Sequence, residues 1–116
     1  MTSYKSSDII LIPFPFTDLE TSKKRPALVL SIVSGKKLPP LLVTAMITSQ
    51  LESEKLPGDI LLKDWEKAGL IHPSKLRLSK IVTVEEKIIL KKLGILSTQD
   101  EKTVKASFRK VFSDWI

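Results

Sequence analysis

Prolines at alternate positions of an apolar run constrain this chain most sharply. In Ile12-Pro13-Phe14-Pro15-Phe16 neither proline can donate to a sheet ladder. The strand that carries them therefore lies at an edge, bends, or pairs through one side only. A polar stretch, 17–24, follows; it is longer than a tight hairpin and so reads as a working loop. It ends in Lys23-Lys24-Arg25-Pro26, three cations at the start of the next apolar run, with Pro26 at the first position of its strand.

The rest of the first half continues as β. Runs 8–16, 26–33 and 41–48 are short and rich in Ile, Val and Leu, and polar loops divide them. Ser34-Gly35-Lys36-Lys37-Leu38-Pro39-Pro40 is turn chemistry, and the spacing of a phosphate-binding loop is absent from it. Pro57-Gly58-Asp59 marks a further turn before a short strand at 59–62. Residues 63–68 form a helical turn closed by Gly69. Segments 75–78 and 80–84 read as two more strands, and 88–96 is ambiguous because Gly94 weakens a helix.

The last element is better defined. Thr98 and Glu101 have the spacing of a capping box. Val104, Phe108, Val111, Phe112 and Trp115 follow at intervals of three and four, so an amphipathic helix closes the sequence. Many short strands and one terminal helix predict a small, strongly bent barrel with the helix across one end.

A length of 116 residues argues for one domain spanning 1–116. The chain has no cysteine, which excludes disulfides, thiolate catalysis and Cys-ligated metal. No signal peptide or membrane-length apolar run is readable, so the cytoplasm is the expected location. Nineteen Lys and Arg against thirteen Asp and Glu give a net charge of +6, which favours a polyanionic partner: nucleic acid or an acidic protein segment.

The blocks Asp8-Ile-Ile-Leu-Ile-Pro-Phe-Pro-Phe-Thr-Asp18, Lys24-Arg-Pro-Ala-Leu-Val29 and Met46-Ile-Thr-Ser49 occur in an order that resembles the MazF/PemK family of bacterial and archaeal toxins. The resemblance runs from about residue 8 to 97. It implies a mainly β fold, an SH3-like small barrel of the MazF/PemK/CcdB type with a C-terminal helix, usually as a homodimer. It also implies a toxin of a type II toxin–antitoxin system that cleaves single-stranded RNA without metal or other cofactor. A cognate antitoxin, whose acidic or apolar tail covers the RNA groove, would silence it. The family usually carries Gly before the first strand's aspartate; Ser7 stands there here, at a position expected to tune a turn.

Metal-free RNA cleavage assists removal of the 2′-hydroxyl proton, protonates the leaving 5′-oxygen and stabilises charge on phosphorus. Arg25 matches the family's Arg-Pro arginine, and a guanidinium fork suits phosphate. Thr48 matches the threonine that ends the third strand, and its hydroxyl is expected to donate beside Arg25. These two are the candidate catalytic residues. Thr17, Glu20, Lys23, Lys24, Ser49 and Arg77 are the candidate substrate-binding residues. Arg77 matches an arginine of the PemK branch's acid-base set, and here either holds phosphate or is simply exposed. The aspartate of that branch is replaced by Ser79, and its loop histidine is missing.

His72, the sole histidine, matches no catalytic position of the family and is read as a bystander. It cannot build a histidine metal site alone, and no metal is expected. Phe14 and Phe16 are assigned to core or dimer contacts before base stacking. Because one fold serves several activities, two alternatives stand beside the ribonuclease: a CcdB-like gyrase-binding inhibitor, and a non-catalytic DNA- or RNA-binding module.

Overall fold

The computed structural model describes residues 3–14 and 23–116, Phe14 through its backbone. Among these residues lie β1 (Asp8–Phe14), β2 (Lys23–Val33), β3 (Leu41–Thr48), β4 (Asp59–Leu61), β5 (Lys75–Glu85), β6 (Lys91–Ile95) and α1 (Thr98–Val111). The strands form one antiparallel sheet in the order β4-β5-β3-β2-β1-β6. The mainly β class with a C-terminal helix is therefore as expected.

Apolar runs without strict alternation arise because the middle of the sheet is buried on both faces. Ile9, Leu28, Ala45, Ile47, Ile60 and Leu76 pack on the face that α1 covers through Val104. Ile10, Ile12, Ala27, Val29, Leu42 and Val84 pack on the other. Register explains the division: Ile9 pairs with Leu28 and Leu28 with Ala45, whereas Ile10 pairs with Ala27.

The proline strand meets its constraint by one-sided pairing. β6 accompanies β1 only from Asp8 to Leu11, and beyond that point Pro13 has Lys24 of β2 as its partner. Pro15 and Phe16 lie outside the described residues. Pro26 is not the first residue of its strand; β2 begins at Lys23, and Pro26 pairs with Leu11. Its ring is tolerated where β3 pairing stops, at Ala27–Met46. Pairing with β1 extends the strand back through the cations.

The two strands expected at 75–78 and 80–84 are one. Ala45 pairs with Ile81 but Met46 with Arg77, so Leu78, Ser79 and Lys80 are extra residues in a bulge. The ambiguous 88–96 segment resolves into a 3-10 turn, Glu86–Ile88, followed by β6. Gly94 belongs to a strand because backbone presses on it. A Cβ there would lie 2.5 Å from the Ala68 carbonyl oxygen and 3.0 Å from Gly69 N. The turn at 64–69 takes that place, with Ala68 N donating to Asp64 O and Gly69 at φ +82°.

Helix α1 starts one residue earlier than the capping-box spacing suggests. Ser97 is the N-cap, and its hydroxyl accepts from Asp100 N at 3.1 Å. Glu101 is thereby released to accept from Ser7 Oγ at 2.7 Å. Ser7 itself adopts φ +79°, the left-handed region that favours glycine, and its amide donates to Val29 O. Asp100 is buried and accepts from the Lys63 and Asp64 amides at 3.0 and 2.9 Å, tying the helix to the 64–69 turn. At the sheet's start, buried Asp8 accepts from Lys5 N at 2.8 Å and pairs with Lys92 at 3.2 Å. Past Val104 the apolar stripe loses cover: Phe108 on α1 is 39% exposed, and Trp115, expected on the helix, falls in the 3-10 turn Ser113–Trp115 after it and is 89% exposed.

Candidate functional site

The second apolar face ends in charge. Cross-strand partners share a face, so Ile12 and Arg25, which pair, point the same way as Ala27 and Met46. Two residues beyond the Ala27–Met46 pair, the same alternation carries Arg25 on β2 and Thr48 on β3. Thr48 pairs in turn with Lys75, and Met46 with Arg77. Arg77 and Lys75 then pair with Asp59 and Leu61 of β4. One face of three strands thus presents Thr48, Lys75, Arg77 and Asp59, and the opposite face presents Ile47, Leu76 and Ile60 to the core.

Thr48 is buried, and its Oγ1 accepts from Gln50 N at 3.1 Å. That bond occupies a lone pair and leaves the hydroxyl proton free to donate. Arg25 is half-buried, and its buried Nε has no hydrogen-bond partner among the described residues. A buried, orphaned donor is uncommon in folded chains. Lys23 and Lys24 are exposed at the start of β2, opposite Phe14 and Pro13, and Ser49 is exposed just after Thr48. Thr17 and Glu20 lie outside the described residues, and so does the assignment of Phe16.

Arg77 is no exposed cation. Its side chain is 11% accessible. Nη2 donates to Ser53 Oγ at 2.8 Å and to the Glu54 carbonyl at 2.6 Å, and Nε stands 3.4 Å from Asp59 Oδ1. The arginine braces the turn that follows Thr48.

Arg25 and Thr48 line two clefts at once. One, of about 250 Å³, also has Met46, Gln50, Ser53, Arg77 and Lys80 in its walls. The other, of about 380 Å³, has an apolar floor at Ile47 and Leu70, with Lys24, Lys91 and His72 around it. Lys24, Arg25, Arg77, Lys80 and Lys91 thus line these two clefts, and among the described residues no carboxylate does. Such a surface attracts an anion, and fixed N–H and O–H donors can orient it.

A family model described as "PemK-like, MazF-like toxin of type II toxin-antitoxin system" matches residues 5–112. The chain belongs to this toxin family. No curated protein sequence matches it. Among solved structures, it resembles an endoribonuclease in complex with its cognate antitoxin from a mycobacterial species, with a TM-score of 0.67 and 10% identity over 96% of each chain. It also resembles the Mycobacterium tuberculosis toxin MazF-mt6, with a TM-score of 0.65 and 17% identity over 91% of this chain and 96% of that one. At such identities the likeness is one of fold.

Within this toxin fold, sequence reasoning named Arg25, Thr48, Lys24, Ser49 and Arg77, which line the clefts, and Lys23, which adjoins them. His72, read from the sequence as a bystander, stands in the wall of the larger cleft, where its loop carries it. Sequence reasoning missed Asp59, whose carboxylate lies 3.4 Å from both Lys75 Nζ and Arg77 Nε. Residues 16 and 18 positions apart give no local signal; only strand pairing brings them together.

Proposed function

We propose that this toxin is an endoribonuclease of single-stranded RNA. The 2′-oxygen attacks the adjacent phosphorus as its proton passes to solvent water. The bond to the 5′-oxygen breaks as that oxygen takes a proton from water, and the products are a 2′,3′-cyclic phosphate and a 5′-hydroxyl. Arg25 and Thr48 are the catalytic pair, donating to the non-bridging oxygens as charge builds on them. Lys23, Lys24, Ser49 and Arg77 serve the rest of the strand, together with Thr17 and Glu20.

One observation carries the reading: among the described residues, a buried guanidinium N–H without a hydrogen-bond partner and a hydroxyl proton free to donate flank the same clefts, and no carboxylate lines them. The reaction needs no metal in this scheme. An antitoxin tail rich in carboxylates and apolar side chains fits the same clefts, as an extended segment that orders on binding. A homodimer is supported by the groove of about 600 Å³ between α1 and the sheet, walled by Leu28, Leu30, Val43, Ile81, Phe108 and Phe112. Both partners suit a cytoplasmic protein; among the described residues no helix is long and apolar enough to cross a membrane.

The deciding experiment incubates purified toxin with a single-stranded RNA in excess chelator and identifies the product ends. Cleavage to a 2′,3′-cyclic phosphate is expected. One deoxynucleotide immediately 5′ of the scissile phosphate should block it. Efficient cutting of that substituted strand overturns the mechanism. An uncut RNA together with inhibited gyrase moves the toxin to the gyrase-binding class.

A further inference from the structure

We infer that Asp59 is a positioning residue for Thr48, acting through two buried cations that tether the turn after β3; the inference rests on the ribonuclease reading above. Asp59 is 2% exposed at its side chain. Oδ2 accepts from Leu56 N at 2.9 Å and lies 3.4 Å from Lys75 Nζ, and Oδ1 lies 3.4 Å from Arg77 Nε. One carboxylate thus answers two cations, each almost wholly out of water. Neutralising it would leave both charges buried against each other, a state that a folded chain avoids by moving them.

Both cations reach the same turn. Lys75 Nζ donates to Ser53 O at 3.2 Å, and Arg77 Nη2 donates to Ser53 Oγ and Glu54 O. Ser53 Oγ donates in turn to Gln50 O at 2.8 Å. The Gln50 amide then donates to Thr48 Oγ1. Two ion pairs, in which Asp59 Oδ1 and Arg77 Nε make no hydrogen bond among the described residues, and then a run of hydrogen bonds connect a buried carboxylate on β4 to the hydroxyl that faces the clefts. The Gln50 bond fixes which lone pair of Thr48 is occupied, and so where its proton points. If the cations shift, the turn shifts, and the hydroxyl loses its aim while remaining in place.

The charge balance gives this role a signature that simple destabilisation lacks. Removing the Asp59 charge raises the positive potential beside the clefts, so RNA should bind as well or better while the chemical step slows. The test uses Asp59→Asn with single-turnover cleavage and with affinity for a fully 2′-deoxy strand. The rate should fall about 100-fold, the scale expected when a catalytic group is misplaced by about 1 Å, with affinity unchanged or tighter. In a Thr48→Val background the same substitution should cost less than about threefold, because the group it aims is already gone.

A full loss in that background, or an unimpaired rate in folded Asp59→Asn, overturns the inference. Where Asp59→Asn does not fold, Ser53→Ala carries the same cycle from a half-buried turn position. It should slow cleavage about tenfold alone and hardly at all with Thr48→Val. A wild-type toxin that cuts no RNA overturns the functional reading instead. The tether is then judged by amide hydrogen exchange at residues 50–54, where an unchanged pattern in the Ser53 variant overturns it.

Discussion

Arg25 and Thr48 stand two residues beyond the Ala27–Met46 pair, on one face of adjacent antiparallel strands. Neither side chain needs a flexible loop to find the other. Arg25→Ala should abolish detectable RNA cleavage and growth arrest, with the melting temperature close to that of the parent, since its Nε holds no hydrogen-bond partner among the described residues. Thr48→Val should lower the rate by about 100-fold or more, the usual loss when one donor to a developing charge is removed. Product formation on a defined RNA, beside thermal melts, checks both.

Lys23 and Lys24 are exposed and adjoin the clefts, so their contribution is long-range attraction. Reversing both charges to Glu should weaken RNA binding and flatten its dependence on salt. Each phosphate that the protein no longer neutralises takes about one unit from the slope of log K against log salt. An acidic antitoxin peptide should lose affinity in parallel. Calorimetric titration of both ligands measures this, and full peptide affinity beside weakened RNA affinity would separate the two surfaces.

Gly94 and the Ala68–Gly69 backbone leave no room for a methyl group, as a Cβ on Gly94 would sit 2.5 Å from a carbonyl oxygen. Gly94→Ala should destabilise the fold by about 3 kcal/mol, at the upper end of ordinary overpacking. Gly35→Ala meets nothing within 4 Å and should be near neutral. Denaturant midpoints of the two variants test the contrast.

Glu101 titrates below its ordinary value near 4.5, first because Ser7 donates to it and then because of Lys105. A carboxylate with a lowered folded pKa adds stability above the unfolded pKa and loses it as pH falls through the folded one. Glu101→Gln should therefore melt below the parent at neutral pH, and the gap should close in acid. Ser7→Ala should weaken the same pH dependence. Ser7→Gly should melt above Ser7→Ala, because glycine accepts φ +79° without strain.

Much of this architecture was legible because burial on both faces writes strands as apolar runs, as in Asp8–Phe14 and Leu41–Thr48. Reading failed where pairing overrides local preference. Lys23 to Arg25 are poor strand residues, yet β1 extends β2 through them. Ser79 and Lys80 look like a break but are a bulge inside β5. Ser97 and Thr98 both cap well, and side-chain chemistry alone does not choose between them. Arg25 and Thr48 are proposed through their motifs, whereas Asp59 depends on the pairing of β4 with β5. That information is distributed over the sheet and absent from any short window.

Burial of β1 on both faces has a consequence for how the sheet finds its alignment. A slip of one residue would exchange Ile9 for Ile10, apolar for apolar, so hydrophobicity hardly opposes the error as it would in a strand with one wet face. The information that forbids it lies at the strand's ends. Asp8 must meet Lys92 of β6, and Pro13 must stay beyond the last β6 pair. Alignment in this toxin is written in one charge and one missing amide hydrogen.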